Sequence, residues 1–533
     1  MTSQTLPYSI AQIVRDRALE IGDCRVFSYE GKELSYIELD INSNKTANAL
    51  LDQGIKPGDR IAFLGKNSPV YFELIAAAAK IRAVVVPINW RLAGPELVYV
   101  LNDCETKHIF VEVEFYSGIS DILSSLDHSQ QIYITRGKLD QAEEADNVRY
   151  FSIWRNQFPE SDPKLDVSPD DDLVQLYTSG TTGKPKGAIL TDRMLIALRG
   201  QDENDEVQDW QGYQQGESGL LAMPCFHVGG TSFGLGILFN GAHTVILPEY
   251  DPNQILDLIE EYSISKVFMV PAALQILLNH PRIDAANVSS LKHIYYGASP
   301  IPLNLMKQAI DRFGCGFVQM YGMTETGGTI VALPPEDHDP NFNEKMKSVG
   351  KPLSGVEIKV IDEQGEELPI GSVGEIATRS VKNIKRYWKL PEVSKETIDA
   401  DGWLRTGDAG YLDEDGYLYI HDRVKDMIIS GGENVYPAEV ENAISSHEEV
   451  AEVAVIGIPN DKWGESVHAV VVLKQGSVLD EESIINFTRS QIASYKCPKS
   501  VVFTDALPRN ATGKVLRREL RQPYWKDKEK AVN

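Results

Sequence analysis

From Asp172 onward the chain alternates two hydrophobic rhythms. The runs "DLVQLY" (172–177), "SKVFMV" (265–270), "LKHIYYG" (291–297) and "GFVQMYG" (316–322) are short, apolar and bounded by polar or glycine-rich segments. That pattern predicts buried strands. Between the last two, "PIPLNLMKQAIDRFG" places Leu305, Ala309, Ile310 and Phe313 on one face and ends on Gly314, which predicts a helix with a glycine stop. Strand, helix and strand joined by short loops predict an α/β architecture of layered, largely parallel sheets. After about residue 425 the rhythm restarts on a smaller scale. "PAEVENAISSH" and "DEESIINFTRSQI" read as helices, the first opened by Pro437, while "VAEVAVIGI", "SVHAVVVLK" and "KSVVFT" read as strands. The expected organisation is a large N-terminal unit, residues 1–424, and a smaller α+β unit, residues 425–533.

A stretch without formal charge between Glu217 and Glu249 is long enough to span a bilayer. Pro224 and the glycines at 229, 230, 234, 236 and 241 break it up, so a buried loop, helix and strand are expected there. Composition adds limits. At 533 residues the chain exceeds one compact core. Its 52 Lys and Arg against 77 Asp and Glu give a net charge of −25, a field that repels nucleic acid and anionic membranes. No nucleic acid and no membrane span are expected as partners; a peripheral membrane contact and a homodimer are left open. Five scattered cysteines without a CxxC pair fit neither a disulfide framework nor a zinc site, and they suit the cytoplasm.

Against that acidic background, "YTSGTTGKPKG" (177–187) gathers hydroxyls, glycines and two lysines where an apolar strand ends. Backbone N–H groups and hydroxyls in such a loop can converge on an anion. The spacing is not that of a P-loop, because Pro185 and Lys186 stand where Gly-Lys-Ser/Thr would be needed.

The loop resembles the signature of the adenylate-forming superfamily of acyl-CoA synthetases, peptide-synthetase adenylation domains and luciferases. "MYGMTE" (320–325), "GWLRTGDAG" (402–410), "DRVKDMIISGGENVYPAEVE" (422–441) and "PRNATGKVLRREL" (508–520) resemble its other core motifs, in order. "LSYIEL" (34–39) and "VPINWRL" (86–92) resemble its weaker N-terminal ones. The resemblance implies that Thr178, Ser179, Gly180, Thr181, Thr182, Gly183, Lys184 and Lys186 cradle the phosphates of ATP. It implies that Tyr321 stacks on adenine, with Gly297, Ala298, Ser299 and Gly322 around the base. Thr324 would meet the α-phosphate, Glu325 would hold Mg²⁺, and Asp408 and Arg423 would take the ribose. Lys514 would neutralise carboxylate and α-phosphate as they react. Lys425 would be the hinge of the small unit, and Gly431, Gly432, Glu433 and Trp463 would meet CoA.

For the acid, the resemblance maps a pocket onto His227, Val228, Gly229, Tyr296, Gly322 and Met323. In "MPCFHVGGTSFG" no acid stands where amino-acid adenylating domains pair an ammonium group. An apolar monocarboxylic acid, medium- or long-chain fatty or arylalkanoic, is therefore expected as the small-molecule partner, with CoA as acceptor. A carrier protein is the alternative acceptor, and a silent nucleotide-binding protein the alternative outside catalysis. His227 resembles a gating residue at the acyl entrance; a structurally satisfied buried histidine is the other reading.

Overall fold

The computed structural model describes residues 9–139, 146–178, 184–197, 208–339, 343–423, 426–430, 433–460, 462–509 and 515–526. Two large sheets form its body. A seven-stranded sheet runs in the order Val148–Tyr150, Gln131–Arg136, His108–Glu112, Arg60–Leu64, Val84–Ile88, Asp172–Thr178, Lys186–Thr191. All of its pairings are parallel except the last, where Lys186–Thr191 folds back antiparallel on Asp172–Thr178. In the nine-stranded sheet, Lys266–Met269, His293–Gly297 and Gly316–Met323 lie side by side and parallel, as their apolar runs predict. Gly328–Leu333 then returns antiparallel beside Gly316–Met323.

The helices Ile10–Ile21, Tyr36–Asp52 and Pro69–Ile81 lie between the two sheets and share one core with both. In the third, every residue from Tyr71 to Ile81 is buried, and its run of four alanines (Ala76 to Ala79) lets it pack closely on both sides. Outer helices cover the far faces. Leu303–Phe313 does so with Leu305, Met306, Ala309 and Phe313 buried, and Gly314 closes it in the left-handed region at φ 59°. The uncharged stretch resolves as expected into strand Ser218–Leu221, helix Val228–Phe239 and strand His243–Ile246. No helix of the described residues is long and apolar enough to cross a membrane.

A four-stranded antiparallel sheet, Glu357–Ile361, Gly374–Arg379, Leu404–Leu412 and Leu418–Arg423, leans on Ile330 and Val331 of the large body. The remaining strands, from Ile428 on, form a separate five-stranded sheet with helices Pro437–Ser445 and Glu481–Gln491. Its core of Ile428, Val440, Val455, Val467 and Ile484 is its own. The fold class is therefore the expected one, a large layered α/β unit followed by a small α+β unit.

Candidate active site

The carboxyl ends of the parallel strands open into a cavity of about 1460 Å³, the position at which α/β sheets hold ligands. At its polar end, strand Asp172–Thr178 delivers Thr178 and strand Lys186–Thr191 delivers Lys186. Opposite them, strand Gly316–Met323 runs into a single 3₁₀ turn, Thr324–Thr326, stopped by Gly327 at φ 60°. Thr326 holds that turn: its Oγ accepts from Met323 N at 3.0 Å and donates to the Gly328 carbonyl at 2.7 Å. The turn presents Thr324 and Glu325 to the cavity.

Glu325 is 6% exposed, and its Oε1 accepts from Tyr387 Oη at 2.8 Å and from Thr178 Oγ at 3.3 Å. Lys186 Nζ lies 4.6 Å from the centre of the Tyr387 ring. Tyr387 thus ties the turn to the two strands. Its own segment is stitched to both by main-chain bonds, Ile384 N to Glu325 O and Trp388 N to Gly187 O. The sequence reading missed Tyr387. Its only signal is an aromatic pair inside the polar, basic segment "VKNIKRYWK".

Asp408, 7% exposed, accepts from Tyr321 Oη at 2.7 Å, and the Tyr321 ring packs on the core of Ile330, Val331 and Leu418. Asp408 pairs with Arg423 across the antiparallel strands. Arg405 and Gly407, three and one residues before Asp408, line the cavity and are both held by Glu375, through Arg405 Nη1 at 3.5 Å and Gly407 N at 3.1 Å.

Two of the glycines expected around the base stand against neighbouring backbone. A Cβ on Gly297 would stand 2.1 Å from the Met320 carbonyl oxygen, and one on Gly322 would stand 2.1 Å from that of Gly328. Both are required by the approach of the neighbouring strand, and Gly297 does not line the cavity. Ala298 does line it, at φ +66°, a left-handed conformation that costs an alanine about 1 kcal/mol or more. Ser299 is half-buried and outside the lining.

The other end is aromatic. His227 immediately precedes helix Val228–Phe239, and with Val228 and Gly229 it faces the cavity; Phe233, Phe268, Tyr295, Trp210 and Tyr213 surround this end. Met323 and Gly322 also line the cavity. Tyr296 does not. Strand alternation turns it to the opposite face, where it is 1% exposed and its Oη donates to His338 Nε2 at 2.9 Å. Tyr295 is the tyrosine that faces the cavity. His227 Nε2 is buried and meets no hydrogen-bond partner among the described residues. Burial and then the Arg91 cation push its pKa down to about 4.

Other expected residues lie apart. Lys184 is exposed, with Nζ 5.3 Å from the Tyr99 ring centre, and it does not line the cavity. Trp463 is 45% exposed on the hairpin of the small unit, beneath Lys462 Nζ at 4.5 Å. Ser179, Gly180, Thr181, Thr182, Gly183, Lys425, Gly431, Gly432 and Lys514 lie outside the described residues, and Arg423 and Glu433 are described by backbone alone. Among the described residues, no three His, Cys, Asp or Glu side chains gather as a metal cage.

Two sheets meeting a small α+β unit, with a threonine, a lysine and a buried glutamate at the strand ends, define a nucleotide-activating ligase. Comparison with known proteins agrees. Residues 14–388 match the family model described as AMP-binding enzyme, and 439–514 match that of the AMP-binding enzyme C-terminal domain. The chain belongs to the AMP-binding enzyme family, and it is an adenylate-forming acid–thiol ligase. It is 40% identical over 505 residues to the fatty acid–[acyl-carrier-protein] ligase ScoC of Streptomyces coeruleorubidus, covering 95% of this chain and 94% of that one. It is 34% identical over 494 residues to the long-chain-fatty-acid–CoA ligase FadD13 of Mycobacterium tuberculosis, covering 92% and 93%. The crystal structure of ATP-bound MatB from Rhodopseudomonas palustris superposes with a TM-score of 0.86 at 30% identity, covering 98% and 99%.

Proposed function

We propose that this enzyme activates a fatty or arylalkanoic acid in two steps within the one cavity. A carboxylate oxygen of the acid attacks the α-phosphorus of ATP, forming acyl-adenylate and expelling pyrophosphate. A pantetheine thiol then attacks the acyl carbonyl; its proton is lost, the thioester forms and AMP leaves. The observation that carries this reading is the continuity of the cavity. Its polar end holds Thr178, Lys186, Thr324 and Glu325, and its other end is walled by aromatic rings that suit an apolar tail.

Each residue then has a task. Thr178, Lys186 and the 179–183 loop hold the phosphates, Thr324 meets the α-phosphate, and Asp408 with Arg423 holds the ribose. Glu325 is the buried carboxylate beside the cavity that a hard cation arriving with the nucleotide takes. Mg²⁺ needs only one or two carboxylates besides phosphate oxygens, and when bound it would supply charge neutralisation. Lys514 brings a second cation to the reacting oxygens, where two anions must meet. The small unit turns at Lys425, the boundary between 1–424 and 425–533, so that Lys514 leaves and Gly431, Gly432 and Glu433 approach the thiol. The cytoplasm is the proposed location.

CoA is the first acceptor proposed, as for relatives named CoA ligases. A carrier protein is a second, favoured by the 40% identity to the ScoC ligase. Labelled pyrophosphate exchange into ATP across a panel of acids, followed by thioester formation with CoA or a phosphopantetheinylated carrier protein, tests the whole. Exchange with apolar acids is expected; exchange only with amino acids overturns the acid assignment. Lys514→Ala is expected to abolish adenylate formation while sparing thioester formation from supplied acyl-adenylate. Equal loss of both steps would remove its role.

A further inference from the structure

The wall segment Gln208–Tyr213 carries Trp210 and Tyr213 into the aromatic end of the cavity, yet it belongs to no sheet and forms only one 3₁₀ turn, Asp209–Gln211. Something else must fix it. Lys266, 0% exposed, extends beneath it, and its ammonium donates to the carbonyls of Asp209 and Gly212, both at 2.6 Å, and to Glu217 Oε2 at 3.2 Å. An ammonium has three protons, and here each has an acceptor. Tyr295 adds a fourth bond, its Oη donating to the Trp210 carbonyl at 2.6 Å.

The register explains why these groups meet. Lys266 and Phe268 lie on one face of their strand, and Phe268 stands opposite Tyr295 on the next strand. The face that supplies two aromatic cavity walls therefore also supplies the two donors that hold a third. A buried cation is costly unless every proton is bonded, so a lysine here has a narrow range of geometries. That stiffness passes to the two wall carbonyls it grips.

We propose that Lys266 is a positioning residue that sets acid selectivity. By gripping the main chain of 208–213 it fixes how far the Trp210 and Tyr213 rings stand from the acid's tail. The proposal rests on the acid-activating reading above. Lys266 touches neither acid nor nucleotide, so its effect must appear in the acid and not in ATP.

The test compares wild type with Lys266→Met, which keeps the stem and removes the three donors, and with Tyr295→Phe, which removes only one. For Lys266→Met, amide exchange of residues 208–213 should accelerate, and the KM for the preferred acid should rise about tenfold with the profile over tail length broadened, since small misplacements at a site cost this much or more. The KM for ATP should stay within about twofold. Tyr295→Phe should shift the profile in the same direction by less, and it keeps the test open if the first variant does not fold. Unchanged amide exchange at 208–213, an unchanged acid profile in folded protein, or a parallel rise in the KM for ATP overturns the proposal. Because amide exchange needs no substrate, it reads the grip of Lys266 even if wild type activates no apolar acid, an outcome that would sink the acid assignment alone.

Discussion

The two ends of the cavity draw on different strands of the two large sheets and are built in opposite ways. At the polar end the side chains sit at strand ends, within a strand or on the turn after one, and they meet through specific hydrogen bonds: Glu325 to Tyr387 and Thr178, Asp408 to Tyr321. At the aromatic end the rings come from four separate segments, around Trp210, Phe233, Phe268 and Tyr295, and touch mainly each other, with Phe233 5.8 Å from Tyr295 and 6.2 Å from Phe268. Charge must be placed to within a hydrogen bond, whereas apolar tails need only volume and shape. The difference predicts that damage to one end stops the reaction and damage to the other changes which acid reacts.

The largest effect should come from the polar end. Glu325→Gln keeps the size of the side chain but removes its charge, and pyrophosphate exchange should fall by about 10²-fold or more for every acid alike, as when a group that stabilises the transition state is lost. Phe268→Ala should retain exchange but shift the preferred acid towards bulkier tails. If Glu325→Gln instead altered acid preference, or Phe268→Ala abolished exchange uniformly, the two ends would not be separable.

Next in size is a pair of glycines. In Gly322→Ala the new methyl would meet the Gly328 carbonyl oxygen at 2.1 Å, and backbone must move. Overpacking of this kind costs about 1–3 kcal/mol or more, so a clear fall in melting temperature is expected together with lost activity. In Gly229→Ala the nearest atoms to the methyl belong to the Phe268 ring, at 3.1 Å, so a side chain and not backbone has to give, by a few tenths of an ångström. Its melting temperature should barely move while its acid profile narrows. Equal melting temperatures for the two variants would contradict this reading.

The same asymmetry governs how much the sequence discloses. The strands 172–178, 266–269, 293–297 and 316–323 follow from their apolar runs, and Thr178, Lys186, Thr324 and Glu325 stand within or beside short motifs because a turn keeps its chemistry local. Shape is not local. Whether Tyr295 or Tyr296 faces the cavity depends on a strand parity that two adjacent tyrosines leave undecided, and the pattern alone gives no sign that 208–213 folds back over Lys266. Tyr387 escaped for a third reason. It lies far along the chain from the strands it joins, 200 residues or more after Lys186, and only the assembled sheets bring it to Glu325.

A smaller effect sharpens the polar end. Tyr321→Phe removes the hydroxyl that Asp408 accepts at 2.7 Å while leaving the ring on its core. A hydrogen bond to a charged group contributes about 1.5–3 kcal/mol, part of which Asp408 recovers from water and ligand. The KM for ATP should rise about fivefold with the acid profile unchanged. A shift in the acid profile instead would mean that Tyr321 serves the other end.

His227 belongs to the aromatic end, and its effect is the smallest because it concerns stability more than turnover. Its ring packs against Phe226 with centroids 4.5 Å apart, and its pKa lies at about 4 against an ordinary value of 6.5. Burial comes first as the cause, then the Arg91 cation; both oppose the imidazolium. Between those two values the unfolded chain binds a proton that the folded chain refuses, so the contribution of this group is present in full above about pH 6.5 and is lost as pH falls towards 4. His243 and His338, both also pushed to about 4 mainly by burial, act in the same direction. His227→Gln should therefore leave the denaturant midpoint at pH 8 nearly fixed relative to its own midpoint at pH 7, but flatten its decline between pH 6.5 and 5 by one histidine's share. In turnover, wild type should show no step in kcat/KM between pH 6 and 8 that disappears in the variant. A step that does disappear would mean that His227 titrates in the working range and passes a proton, which would join it to the chemistry of the polar end.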